Sequence, residues 1–168
     1  MTAAGTCPAP LSVPLPTVPG VRPARREDAA ELAALSGPFA RSGALRERPV
    51  SLYAAHADEF LVVRASGGPV EGAVGLRVHP GGSGPVGVVY NFCVAGHRQG
   101  FGVGAGLLRA VLDRARDRSL DALFTATIGS GRLFLRHGFA PTAAHLAPPA
   151  WTRSLDPRRG ARILARPL

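Results

Sequence analysis

The sequence predicts a single α/β domain built on a central mixed sheet, and three observations carry that reading. From Asn91 to Leu108 an apolar strand passes through a glycine-rich turn into a helix whose Leu107, Leu108, Val111 and Leu112 share one face. Upstream, three apolar runs separated by short Gly/Pro turns read as an antiparallel meander. Helical and extended patterns then alternate to the end of the chain, in the order β-α-α-β-β-β-α-β-α-β-β.

The elements follow in order. Residues 1–19 hold five prolines and no helical period, and are expected to be a proline-rich flexible tail before a domain over 20–168. Val21 to Pro23 is the first short strand. Arg25-Arg26-Glu27-Asp28 leads into Ala29, Ala30, Leu32, Ala33 and Leu35, a helix from about Glu27 with acids in its first turn, ended by Gly37-Pro38. Leu45 to Glu59 is a less regular helical region, broken by Pro49 and restarting with Ser51 as N-cap. Phe60–Val63, Val70–His79 and Val86–Val94 are strands. Leu107 to Arg118 is the central helix, Ala122 to Thr127 a strand and Leu133 to Arg136 a short helix. Phe139 begins another strand, and Arg162 to Ala165 is the last.

Composition narrows the class. A chain of 168 residues, 46% hydrophobic and 18% charged, is globular and one domain by length. No apolar run reaches bilayer-spanning length and the N-terminus has no signal-peptide pattern, so a cytoplasmic location with no membrane partner is expected. Cys7 and Cys93 do not make a disulfide framework, and no metal ligands are assigned. The formal charge is +9, yet all 20 basic residues are arginines, scattered along the chain. Aromatic residues are only 6% and no recognition motif occurs, so no nucleic-acid partner is expected. A cofactor bearing several phosphates also suits a basic surface.

The strand–glycine loop–helix unit is an anion site in outline. The first helical amides have no partner inside the helix, the helix dipole is positive there, and Arg98 adds a charged donor. The absence of lysine excludes a G-x-x-x-x-G-K-[ST] loop. A dinucleotide fingerprint fits poorly, because this loop lies mid-chain after antiparallel strands. A tight strand-to-helix turn with no ligand is the bland alternative.

Gln99-x-x-Gly102-x-Gly104 resembles the Q/R-x-x-G-x-G/A signature of the GNAT acetyltransferase superfamily, with Leu107-Leu108 at the expected offset. Val21 to Asp28 resembles the common GNAT opening, and Gly138-Phe139 the G-F after its fourth helix. Leu123 to Phe139, Gly43 to Val63 and Leu146 to Leu164 resemble the acetyltransferase domain of bacterial N-acetylglutamate synthases. The resemblance implies a GNAT fold: a mostly antiparallel mixed sheet flanked by helices on both faces, with acetyl-CoA in the splay beside the fourth strand. It implies N-acetyltransfer to a small-molecule amine, such as glutamate or an arginine-pathway relative. An antibiotic or protein N-terminal acceptor, or a sensor that binds the cofactor without chemistry, stays open. A homodimer is a common arrangement of such domains.

The resemblance also assigns residues. Phe92, Cys93 and Val94 would pair by backbone with the pantetheine arm. Arg98, Gln99, Gly100, Phe101, Gly102, Val103, Gly104 and Ala105 would hold the pyrophosphate, and Thr127 and Phe134 would lie along the cofactor. Arg48, Asn91 and Arg159 would bind the acceptor. The synthases carry a glutamate as base where this chain has Val88. Strand alternation places Val88, Tyr90 and Phe92 on one face and Asn91 on the other, so Tyr90 is the nearest polar group to hold a water that takes the proton. A packing role is its alternative. Phe134 stands where many relatives have an acidic tyrosine, leaving Ser130 as donor to the thiolate, or else as a helix N-cap. Cys93 as nucleophile is disfavoured by burial.

Overall fold

Near-continuous apolar runs fix the sheet, because strands buried on both faces need partners for every backbone group and apolar side chains on either side. The computed structural model describes residues 20–168, so the tail and Cys7 lie outside the described residues. Strands β1 (Val21–Pro23), β2 (Phe60–Arg64), β3 (Val70–Pro80) and β4 (Pro85–Val94) pair antiparallel in chain order. β4 pairs parallel with β5 (Ala122–Thr127), and β7 (Arg162–Pro167) lies antiparallel between β5 and β6 (Ala140–Pro141). The described residues thus form one seven-stranded sheet, antiparallel except at β4/β5.

Helices cover both faces. The amphipathic α3 (Val103–Asp117) packs Leu107, Leu108, Val111 and Ala115 on Leu61, Val74, Leu76, Val89 and Leu123. Leu107, Leu108 and Val111 are fully buried, each contributing about 2 kcal/mol of transfer free energy. On the other face α1 (Ala29–Arg41) and α2 (Val50–Ala55) bring Leu32 and Tyr53 onto Phe60, Val62, Ala73 and Cys93. Two short helices, α4 (Arg132–Arg136) and α5 (Pro149–Thr152), complete the chain.

Most elements stand where the residues place them, though α3 starts a turn before Leu107, at Val103, and others differ as well. α1 runs through Gly37-Pro38 to Arg41, because a proline so near the end removes one hydrogen bond and the final turn still forms, with Ser42 N–H donating to the Pro38 carbonyl. It starts at Ala29, after a 3₁₀ turn over Arg26–Asp28. The N-cap of α2 is Pro49, so Ser51 lies inside the first turn, and Ala57–Glu59 is a separate 3₁₀ turn. α5 has no amphipathic period long enough to be read, and β6 is only two residues, after Phe139.

A further difference matters most for the site. Ala73 pairs with Cys93 and Gly75 with Tyr90, so two residues of β4, Asn91 and Phe92, stand against Val74 alone. This is a β-bulge, and Asn91 sits at φ 50°, a left-handed conformation that asparagine tolerates better than most residues. The extra residue breaks the alternation. Tyr90 and Cys93 pack with the α1/α2 cluster, whereas Phe92 packs with the α3 cluster. Tyr90 and Phe92 are therefore on opposite faces, and the buried Asn91 side chain turns to the same side as Tyr90, reaching Ser36 of α1 and Tyr53 of α2.

The N-terminal strand is tied down by charge. Buried Asp28 accepts from Arg22 Nη1 and Nη2 at 2.7 and 2.8 Å, from the Arg25 amide at 2.7 Å and from Arg64 Nη2 at 3.3 Å. The bidentate Arg22 contact foremost holds the Asp28 carboxyl well below the usual carboxylate range. A carboxyl with a lowered folded-state pKa stabilises the fold above its unfolded pKa near 4 and loses that contribution as pH falls toward the folded value. Asp28→Asn is expected to cost about 2 kcal/mol at pH 7 in urea denaturation, because it leaves two half-exposed guanidiniums without their shared carboxylate. The difference from the parent should shrink between pH 5 and pH 2.

Candidate active site

The site exists because two neighbouring strands part. β4 and β5 pair only at Gly87/Leu123 and Val88/Phe124, after which Thr125 Oγ1 donates to the Val89 carbonyl at 3.0 Å. Beyond that point the β4 edge has no strand partner among the described residues. A cavity of about 250 Å³ opens on the α1/α2 side, lined by Arg48, Arg77, His79, Val88, Tyr90 and Arg159 among others. A groove runs from it toward the glycine loop, past Phe92, Gln99, Gly100, Gly102, Gly104 and Ala105. Cavity and groove meet at Tyr90, Asn91, Ala126 and Ile128.

The loop has the geometry of an anion cradle. Gln99 Nε2 donates to the Val94 carbonyl at 3.0 Å, folding the loop onto the strand end. Gly102, the N-cap of α3, has φ 81° and nothing within 4 Å of where a Cβ would stand. The first bond into the helix is Gly106 N–H to the Gly102 carbonyl at 3.0 Å. The amides of Val103, Gly104 and Ala105 therefore point outward at the positive end of a 15-residue helix. Arg98 stands beside them, its Nε 3.0 Å from Glu71 Oε2 in a contact too poorly aligned to be a hydrogen bond, so both buried atoms lack one. His97 Nε2 is 3.4 Å from the same carboxylate, and Phe101, 72% exposed, lies under the Arg98 guanidinium. Open amides, an incompletely bonded arginine and an unpaired strand edge suit a phosphate-bearing cofactor with an amide-containing arm.

The cavity wall is rich in arginine. Arg48 Nη1 donates to Asn91 Oδ1 at 3.0 Å, Tyr53 donates to the same oxygen, and Asn91 Nδ2 donates to Ser36 Oγ at 3.0 Å. The Asn91 side chain is thus occupied in holding Arg48. Burial lowers the Arg48 pKa, and no carboxylate pairs with it. Arg159 Nη2 donates to the Gly43 and Ala44 carbonyls at 2.7 and 2.9 Å, and Arg46 Nη2 to the Ser154 carbonyl at 2.6 Å. Among the described residues none of these three cavity arginines forms an ion pair; Asp156, which also lines the cavity, is bonded to Arg158 and feels the charge of Arg46 and Arg159 from farther off.

At the mouth, the Tyr90 hydroxyl donates to Glu59 Oε2, and Arg77 Nε grips both Glu59 oxygens at 3.1 and 3.0 Å. Burial foremost, with the Glu59 contact, raises the Tyr90 pKa well above the ordinary phenol value, so the ring is neutral. Gly75 lies opposite, and a Cβ there would stand 2.6 Å from Tyr90 Cε1.

Other assigned residues fall around the groove. Phe134 is buried, edge-on to Phe92 and Phe139. Ser130 lines the groove, and its N-cap alternative fails, since Gly131 holds that position. Thr127 Oγ1 accepts from the Gly129 amide at 3.3 Å at the groove wall. Cys93 is buried, its thiol pushed up to about 11 by desolvation, which argues against a nucleophile. Sequence reasoning missed Glu59, Arg77 and Arg46. Arg77 was reachable, because the Pro80–Pro85 turn sets the hairpin register and pairs it with Val88.

Comparison with known proteins agrees with this geometry. An amino-acid acetyltransferase of Pseudomonas putida is 28% identical over 148 residues, covering 88% of this chain and 34% of that protein. The N-acetylglutamate synthase of Neisseria gonorrhoeae, solved with coenzyme A and N-acetyl-glutamate, superposes with a TM-score of 0.81 at 26% identity, over 88% of this chain and 34% of that one. Mycobacterium tuberculosis Rv2747, solved with CoA, has a TM-score of 0.71 at 24% identity, covers 89% of this chain and 99% of its own, and shares the fold. This chain spans about a third of the length of the curated relatives it matches. The model of the acetyltransferase (GNAT) family matches residues 28–139, and with the splayed sheet and glycine cradle already in place, the chain belongs to that family.

Proposed function

We propose that this chain transfers an acetyl group from acetyl-coenzyme A to the amino group of an amino acid. The observation that carries the reading is the cavity wall of Arg46, Arg48 and Arg159, arginines without carboxylate partners, opening at Tyr90 onto the glycine-loop groove. A desolvated guanidinium with only neutral acceptors favours an incoming carboxylate, and Arg binds carboxylates bidentately. The same wall disfavours a polycationic antibiotic. The likeness to an amino-acid acetyltransferase and to a synthase solved with N-acetyl-glutamate supports the same class.

When bound, acetyl-coenzyme A supplies a thioester carbonyl carbon for the amine to attack. The outward amides of Val103, Gly104 and Ala105, with Arg98, would hold its phosphates, and the open β4 edge at Phe92–Val94 would line the arm. The Phe92 amide would polarise the acetyl oxygen. Arg48 and Arg159 hold the acceptor carboxylate, and that anchoring turns the amine toward Tyr90. Ser130, which lines the groove, would donate a hydrogen bond to the thiolate.

Two measurements check these roles. Arg98→Ala should raise the Kd for coenzyme A about tenfold or more in calorimetric titration, since it removes a phosphate donor and leaves the buried Glu71 carboxylate facing the loop. Arg48→Gln and Arg159→Gln should each raise the acceptor KM about 10- to 100-fold with a smaller change in kcat, read by thiol release over glutamate, glutamine, aspartate, arginine and carboxylate-free amines. Cofactor binding with no turnover on any of them would instead support a sensor.

A further inference from the structure

An acceptor amine is largely an ammonium ion at neutral pH and must shed a proton before its nitrogen can attack. The cavity wall beside β5 is no help, because Val88 there is buried and apolar. One carboxylate stands directly behind the mouth. Glu59, in the turn before β2, accepts the Tyr90 proton through Oε2, while its Oε1 lies 3.2 Å from His56 Nδ1. His56 is 43% exposed and Glu59 18%, so the chain Tyr90–Glu59–His56 runs from the cavity to solvent.

The surroundings are built for it. Gly75, paired with Tyr90, leaves room for the ring against β3, where a Cβ would stand 2.6 Å from Cε1. Arg77 and Arg48 flank that ring, their Cζ atoms 5.0 and 5.3 Å from its centroid, and Arg77 Nη2 approaches Tyr90 Oη at 3.4 Å. Cations on both sides stabilise negative charge passing through Oη. Tyr90 Oη gives its hydrogen to Glu59 and accepts a long hydrogen bond from Arg77 Nη2, which leaves its second lone pair for a donor in the cavity.

We propose that Tyr90 and Glu59 form a proton relay for the acceptor amine, with His56 as the exit. The N–H bond of the ammonium breaks and an Oη–H bond forms, directly or through one water; in concert the original Oη–H bond breaks and an Oε2–H bond forms on Glu59. The amine is left neutral with its lone pair, and Glu59 returns the proton to solvent past His56. Tyr90 ends as it began. The relay rests on the acetyl-transfer reading. The charged or titratable groups facing it are Arg77 and His79 from β3, Arg48 from the segment before α2, and His56 from its own turn.

The test is steady-state kinetics of the full chain from pH 6 to 10, comparing the parent with Glu59→Gln, Glu59→Asp and Tyr90→Phe, on amino acids and carboxylate-free amines. Melting curves by circular dichroism check that each variant folds, and Tyr90→Phe keeps the ring in place. Glu59→Gln and Tyr90→Phe should lower kcat about 100-fold at pH 7.5, with the acceptor KM within threefold of the parent. Their deficit should narrow about tenfold per pH unit between 7 and 9, as solvent deprotonates the acceptor instead. Glu59→Asp should recover part of kcat. Parent-like kcat in Glu59→Gln, a deficit confined to KM, or one that does not change with pH would overturn the relay while leaving acetyl transfer standing. Turnover only on carboxylate-free amines would overturn the amino-acid reading, and the same variants would then judge the relay on those amines. No parental turnover on any amine overturns both.

Discussion

Everything functional in this molecule follows from the shortness of one ladder. β4 and β5 share two residue pairs, and the sheet is then forced apart while its two halves stay anchored by large apolar clusters. The split is tolerated because the cluster under α3 bridges it, joining Leu76 and Val89 of β3 and β4 to Leu123 and Leu164 of β5 and β7. The exposed backbone in the split is the part that cannot be satisfied from within. The glycine loop adds a second set of open amides where β4 runs into α3. Strand edge and helix start therefore present unmet donors and acceptors along one line, and the groove takes its direction from them.

The electrostatics follow the same division. The basic excess of the chain is not spread evenly in consequence. The N-terminal arginines Arg22 and Arg64 are consumed by Asp28 and Glu31, and Arg77 by Glu59. Arg46, Arg48 and Arg159 of the cavity wall are held instead by carbonyls and by Asn91, with no direct ion pair among the described residues. The bulge is what makes this arrangement possible. By inserting one residue it carries the Asn91 side chain across the sheet to meet Arg48, Tyr53 and Ser36 together.

Much of the fold was legible because burial periodicity and turn residues act locally. β5 matched its expected bounds, and the Gly-Pro turns located the meander. The cofactor loop was legible for the same reason: strand, glycines and helix start are contiguous. The acceptor site was less so. Tyr90 was found, but its partner Glu59 lies in a turn 31 residues earlier and is joined to it only by sheet register. The bulge, which no alternation rule foresees, misassigned the faces of Phe92 and Asn91. Pro38 misled in the other direction, because a breaker in the last turn of a helix breaks little.

The contact between Gly75 and Tyr90 has an implication for substitutions. A tyrosine at 90 and any side chain at 75 compete for the same volume, with a Cβ only 2.6 Å from the ring. The two positions are sterically coupled: with the ring at 90 in its present place, position 75 has no room for a side chain, whereas a smaller residue at 90 would relieve that limit. Once that neighbouring residue has grown, the ring cannot return by a single substitution. In mutational terms the pair is asymmetric, since a change at 90 can be made alone but a side chain at 75 needs the ring to move first.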